Sequence, residues 1–155
     1  MDDIAGLTPT GKRLRGPASD LVELNGEDGF RHTAVVFHDE YREHRALNES
    51  FEMVRGFLES PWVTGLVELG SRDGAAFVYP CGESWSVAEI IRLLADTGQV
   101  GGIRAGLELM YTAGQILIEA AENGESEGVY SHGGLTPWRV MLRRDGQVQI
   151  IGHAL

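Results

Sequence analysis

Apolar positions change their period along the chain. Leu21-Val22-Glu23-Leu24 and Thr33-Ala34-Val35-Val36-Phe37 are short apolar runs joined by a polar, glycine-containing segment, a hairpin pattern. Residues 40–59 then place Leu47, Phe51, Val54 and Leu58 on one face of an amphipathic helix, which Pro61 closes. Strands are expected at 63–69 and 75–79, with Arg72-Asp73-Gly74 as the turn between them. Beyond the break at Pro80 and Gly82, Ser86 reads as an N-cap and Glu89 completes a capping box for a helix at 87–96. The longest helix is expected at 103–122, with Ile103, Leu107, Met110, Leu117 and Ala121 at helical spacing. Two short strands, 139–142 and 147–151, flank the turn Asp145-Gly146. Residues 1–20, rich in Gly, Pro, Thr and charge, read as flexible or only partly strand-like. The order is β-β-α-β-β and then α-α-β-β. That predicts an α+β protein, a single domain over 1–155 with a sheet-rich part (1–79) and a mostly helical part (80–155).

Composition narrows the function classes. A net charge of −10 argues against nucleic acid as a partner and works against a bound triphosphate. No run of 18 apolar residues exists, so no membrane span is expected, and the acidic N-terminus lacks a secretory apolar segment. One cysteine, Cys81, excludes an internal disulfide framework and points to a reducing cytoplasm. With no basic neighbour it reads as a small buried hydrophobe. Lys12 is the only lysine beside twelve arginines, so any chemistry that needs a catalytic lysine must use it. His38, Glu40, Glu43 and His44 cluster in sequence, but the two histidines fall on opposite helix faces and read as a solvated helix start rather than a metal site. Ser84 and Ser131 lack the histidine context of a hydrolase triad.

The tail, His132-Gly-Gly-Leu-Thr-Pro-Trp-Arg139 followed by a hairpin and Gly152-His153-Ala154, resembles a protein-kinase catalytic loop and its D-F-G segment. Further anchors agree. Ala34-Val35-Val36 resembles the V-A-I-K strand, Ser60-Pro61-Trp62-Val63 the turn after the αC helix, and Phe77 to Gly82 the hinge, with Tyr79 gatekeeper-like. The resemblance, over residues 12–155, implies a kinase-like N-lobe with an αC-type helix and a reduced C-lobe that ends near the D-F-G position. It also implies lost chemistry. Val36 stands for the phosphate-gripping lysine, Gly134 for the catalytic Asp and Thr136 for the catalytic-loop lysine. Arg139 and Gly152 replace the magnesium ligands, and only Gly16 survives of the glycine-rich loop. Glu52 or Phe51 takes the place of the αC glutamate. His132 is expected to pack structurally and bond to backbone, and His153 to be spacer or surface.

The expectation is therefore a pseudokinase, with no catalytic residue, cofactor or metal, acting as a scaffold or regulatory module in bacterial signalling. The long helix is apolar on more than one face and calls for a partner: a second copy, the rest of a longer chain or another protein. The expected contact surface is Leu109, Met110, Ile116 and Leu117, with the acids Glu119, Glu122, Glu125 and Glu127 beyond them. Carboxylates at a helix C-terminus oppose its dipole, which favours a basic partner. Two alternatives are a sensor binding a nucleotide or small ligand between the lobes without turnover, and an enzyme using acids such as Glu23 or Glu52 in the cleft.

Overall fold

Strand pairing organises the first half around a five-stranded antiparallel sheet, seen in a computed structural model that describes residues 2–42, 44–61, 63–124 and 132–153. The strands are β1 (Thr8–Arg15), β2 (Ser19–Asn25), β3 (Arg31–Phe37), β4 (Ser71–Asp73) and β5 (Ala76–Tyr79), in the order β1-β2-β3-β5-β4. Side chains alternate across the sheet. Leu21, Val35 and Phe77 pair laterally on the inner face. There they meet Phe51, Val54, Phe57 and Leu58 of α1 (Arg45–Glu59). On the outer face, Val22, Leu24, Ala34 and Val78 pack beneath Ile4 and Leu7.

Four local expectations change. Residues 8–15 form a full strand, held by its ladder to β2 rather than by apolar content; Gly11, at φ +90°, sits where the register shifts between Pro9 and Arg13. Arg72 and Asp73 belong to β4, so the turn is Gly74-Ala75. Residues 63–69 form no ladder strand; Leu66 bridges Ile150 in parallel instead. The expected helix at 40–59 also begins later, after a separate 3₁₀ turn at Asp39–Tyr41.

The second half starts with β6 (Ser84–Ser86), a strand the sequence pattern did not indicate. It pairs with β7 (Val140–Arg143), which pairs with β8 (Val148–Ile150). Ser86 then caps α2 (Val87–Asp96) with the full reciprocal capping box to Glu89. α3 (Ile103–Gly124) seats only its later turns: Ala113, Ile116 and Ala120 pack on Val63, Val140 and Ile150. Gly65, at φ +100°, lies so close to Ile116 that a Cβ there would stand 2.6 Å from its Cδ1. The 65–67 segment thus ties the lobes together: Gly65 O accepts from Ile150 N–H at 2.7 Å and Val67 N–H donates to Ile150 O at 3.0 Å.

Candidate functional site: the inter-lobe cleft

The cleft lies between the inner face of the first sheet and the β6–β7 pair. Leu14, Leu21 and Thr33 line it from above, Ser84 and Met141 from below, around a partly open cavity of about 20 Å³. That is room for one or two waters. At its mouth the Lys12 ammonium bridges the lobes, 3.3 Å from Glu23 of β2 and paired with Glu89 of α2. Burial works against the charged lysine, but the hydrogen bonds and charges of Glu89 and Glu23 outweigh it and raise its pKa. Thr10 Oγ1 donates to Glu23 at 3.0 Å, and Ser86 N–H and Oγ donate to Glu89 at 2.7 and 2.9 Å.

Deeper in, the loop before β7 folds on a buried His132. Its Nε2–H donates to the Ile151 carbonyl at 3.0 Å, and its Nδ1 accepts from Gly134 N–H at 3.4 Å. Backbone bonding by His132 is as expected. Gly134 and Thr136 are half-buried; Thr136 contributes its carbonyl to Arg139 N–H at 2.9 Å. The Arg139 side chain is buried, its Nη1 donating to the Gly152 carbonyl at 3.1 Å. Gly152 has φ +67°, and a Cβ there would come within 3.2 Å of Arg139 Nη1, so the guanidinium and a glycine fit each other.

His153 corrects an expectation. It is only 4% exposed, neither spacer nor surface. Its ring meets that of His132 edge to face at 5.6 Å and lies tilted against Phe57 of α1 at 5.5 Å, so a histidine pair joins the two lobes. Burial lowers the pKa of His153 to about 4. Burial, and then the Arg139 charge, take His132 to about 4 as well. Tyr79, at the gatekeeper-like place, is buried near Arg139 and Gly152, and desolvation pushes its hydroxyl pKa up. Cys81 is buried and its thiol is raised to about 12 by desolvation, as suits a packed rather than a reactive cysteine.

Register revises two further assignments. Val36 pairs with Asp20 and Ala76 on the outer face, away from the cleft; the inward position is Val35, one residue earlier. The V-A-I-K reading was therefore one residue out of phase, although either valine lacks an ammonium. On α1, Phe51 takes the inward place, its ring 5.5 Å from Phe77, and Glu52 is exposed beside Arg55. Asp20 is buried on the outer face, opposite Val36, and held below the usual carboxylate range. Burial opposes that shift, but hydrogen bonds from His38 and Arg13 outweigh it. Arg139 and Gly152 stand at the two positions that the kinase resemblance gives to magnesium ligands, neither side chain offers an oxygen, and among the described residues no metal-capable cluster converges.

The expected contact surface is also redrawn. Ile116 is core and Leu109 and Leu117 are half-buried, so only Met110 of that set stands clear in solvent. Between 91 and 118 the large exposed apolar residues are Ile91 and Leu93 of α2, Val100, and Ile103, Leu107, Met110, Tyr111 and Ile118 of α3. Glu119 and Glu122 are exposed on α3; Glu125 and Glu127 lie outside the described residues.

Structural comparison accounts for this layout. Two crystal structures of the PknI kinase domain of Mycobacterium tuberculosis superpose with TM-scores of 0.68 and 0.71, at 12% and 13% identity. Each match covers 99% of this chain. The fold is protein kinase-like. The chain spans 61% and 60% of the length of those two domains. No protein-family model and no curated protein matches the sequence. On this kinase-like frame, β1–β5 and α1 make an N-lobe-like half, and α2, α3 and β6–β8 a half that resembles part of a C-lobe. Of the cleft, sequence reading singled out the 132–139 loop and Arg139, which the structure places beside Gly152. It did not reveal the Lys12–Glu23–Glu89 clasp, whose three residues are far apart along the chain; the signal available was that the sole lysine precedes the first strand's apolar residue by two positions.

Proposed function

We propose that this chain is a non-catalytic kinase-like module that works through protein–protein contact, as a scaffold or regulatory element in a bacterial, cytoplasmic signalling setting. One observation supports the reading: the cleft holds the chain's own cations, Lys12 paired with Glu89 at the mouth and Arg139 bonded to the Gly152 carbonyl inside, where the resemblance would put nucleotide and metal. Phosphoryl transfer depends on positioned metal and phosphate ligands, and here those positions hold cations bound to the protein itself. The working surface is then the α2–α3 face. Its exposed apolar residues are flanked by the pairs Arg92–Asp96 and Arg104–Glu108, so two copies related by a two-fold axis can set opposite charges against each other. An exposed apolar patch on these helices calls for a cover, and protein is the cover proposed for it.

Sedimentation velocity tests it. Wild-type protein is expected to dimerise with concentration, and Leu107→Glu with Met110→Glu to sediment as a monomer with an unchanged melting temperature. A wild type that stays monomeric at high micromolar concentration would remove self-association from the reading.

A further inference from the structure

The Lys12 clasp has the architecture of an occupied binding site. Glu23 and Glu89 come from different lobes and are largely buried, with side-chain exposures of 19% and 14%. Each carboxylate is also fixed by donors other than Lys12: Thr10 on Glu23, and Ser86 on Glu89. The pair therefore keeps its place if the lysine leaves. Beneath it, Leu14, Leu21 and Met141 wall a small cavity, and Ser84, 6% exposed, lines the same cavity with an Oγ that has no hydrogen-bond partner among the described residues. A buried hydroxyl in that position calls for a water or a ligand atom.

We propose that the cleft is a masked site for a small amine, with Lys12 as its tethered occupant. The ligand carries an ammonium to sit between Glu23 and Glu89, a compact apolar body for the Leu14–Leu21–Met141 walls, and a polar atom within reach of Ser84. Its charge is opposite to that of a nucleotide. Lys12 is held at high effective concentration and keeps the lobes clasped, so amine and lysine compete for one seat. Displacement frees β1 from α2 and couples occupancy to the angle between the lobes. The proposal rests on the reading that the cleft does not take a magnesium nucleotide.

Thermal melting of Lys12→Ala with n-butylammonium chloride tests it, since that amine restores the atoms removed. At ten times a dissociation constant of about a millimolar, the variant is expected to gain roughly 3–5 °C, saturably, over a sodium chloride control. Wild type should gain nothing, n-butanol should not substitute, and Lys12→Ala with Glu89→Gln should not respond. No saturable gain in the variant, or an equal gain in wild type, overturns the proposal. If Lys12→Ala does not fold, Lys12→Gln with the same amine gives the same comparison, and no gain there overturns it equally. A gain with Mg–ATP in wild type would instead overturn the reading of the cleft beneath it.

Discussion

Acid should loosen this protein through its two buried histidines, which meet edge to face. His132 and His153 have folded pKa values of about 4 against an unfolded value near 6.5. Between those values the unfolded chain takes up protons that the folded chain refuses. Stability is therefore full above about pH 6.5, falls as the pH drops toward 4, and levels below it. From pH 7.5 to 4.5 each histidine is expected to cost on the order of 2–3 kcal/mol, so the pair removes about 5 kcal/mol from a fold of ordinary stability. Asp20 does not offset this, because its stabilisation is present above its unfolded pKa of 3.8 and is lost only at lower pH. The assay is urea unfolding followed by tryptophan fluorescence at half-unit pH steps. His153→Phe should keep the ring contact with Phe57 and halve the slope. It should also stabilise at pH 7.5 by about 1 kcal/mol, because neither His153 ring nitrogen has a hydrogen-bond partner among the described residues. A stability that is flat from pH 7 to 4.5, or a His153→Phe slope equal to wild type, would refute the burial argument.

Two glycines should respond in opposite directions. Gly65→Ala combines a left-handed φ with a Cβ pressed into Ile116 and is expected to destabilise by roughly 2–4 kcal/mol in the same urea assay. Gly106→Ala, in open space inside α3, should stabilise by about 0.5–1 kcal/mol. Ser86→Ala removes a buried cap and should cost about 1 kcal/mol, with faster amide exchange in the first turn of α2 as the local check.

Local chemistry made some elements legible and left others hidden. The capping box at Ser86 and Glu89 and the alternation in β2 and β3 act between near neighbours, so sequence spacing exposes them. β1 and β6 are defined by their partners, β2 and β7, and contain too few apolar residues to announce themselves. The helix stripe misled for a related reason. Ile103, Leu107 and Met110 have the period of a buried face, yet the seated residues are the small Ala113 and Ala120 with Ile116, because close approach to Gly65 and β8 selects small side chains. At the cleft, residue identity conveyed what chemistry was missing at 134, 139 and 152. What fills the space instead depends on contacts across more than sixty residues, from Lys12 to Glu89 and from Phe57 to His153, and no periodicity reports those.

The central claim is that this kinase-like cleft is closed by its own side chains to a metal nucleotide. Isothermal titration of wild-type protein with ATP, with and without Mg²⁺, tests it most directly. The account predicts no saturable heat in either titration up to millimolar ATP. A stoichiometric, magnesium-dependent isotherm would contradict it, because it would require Arg139 and Gly152 to yield their places to a metal site.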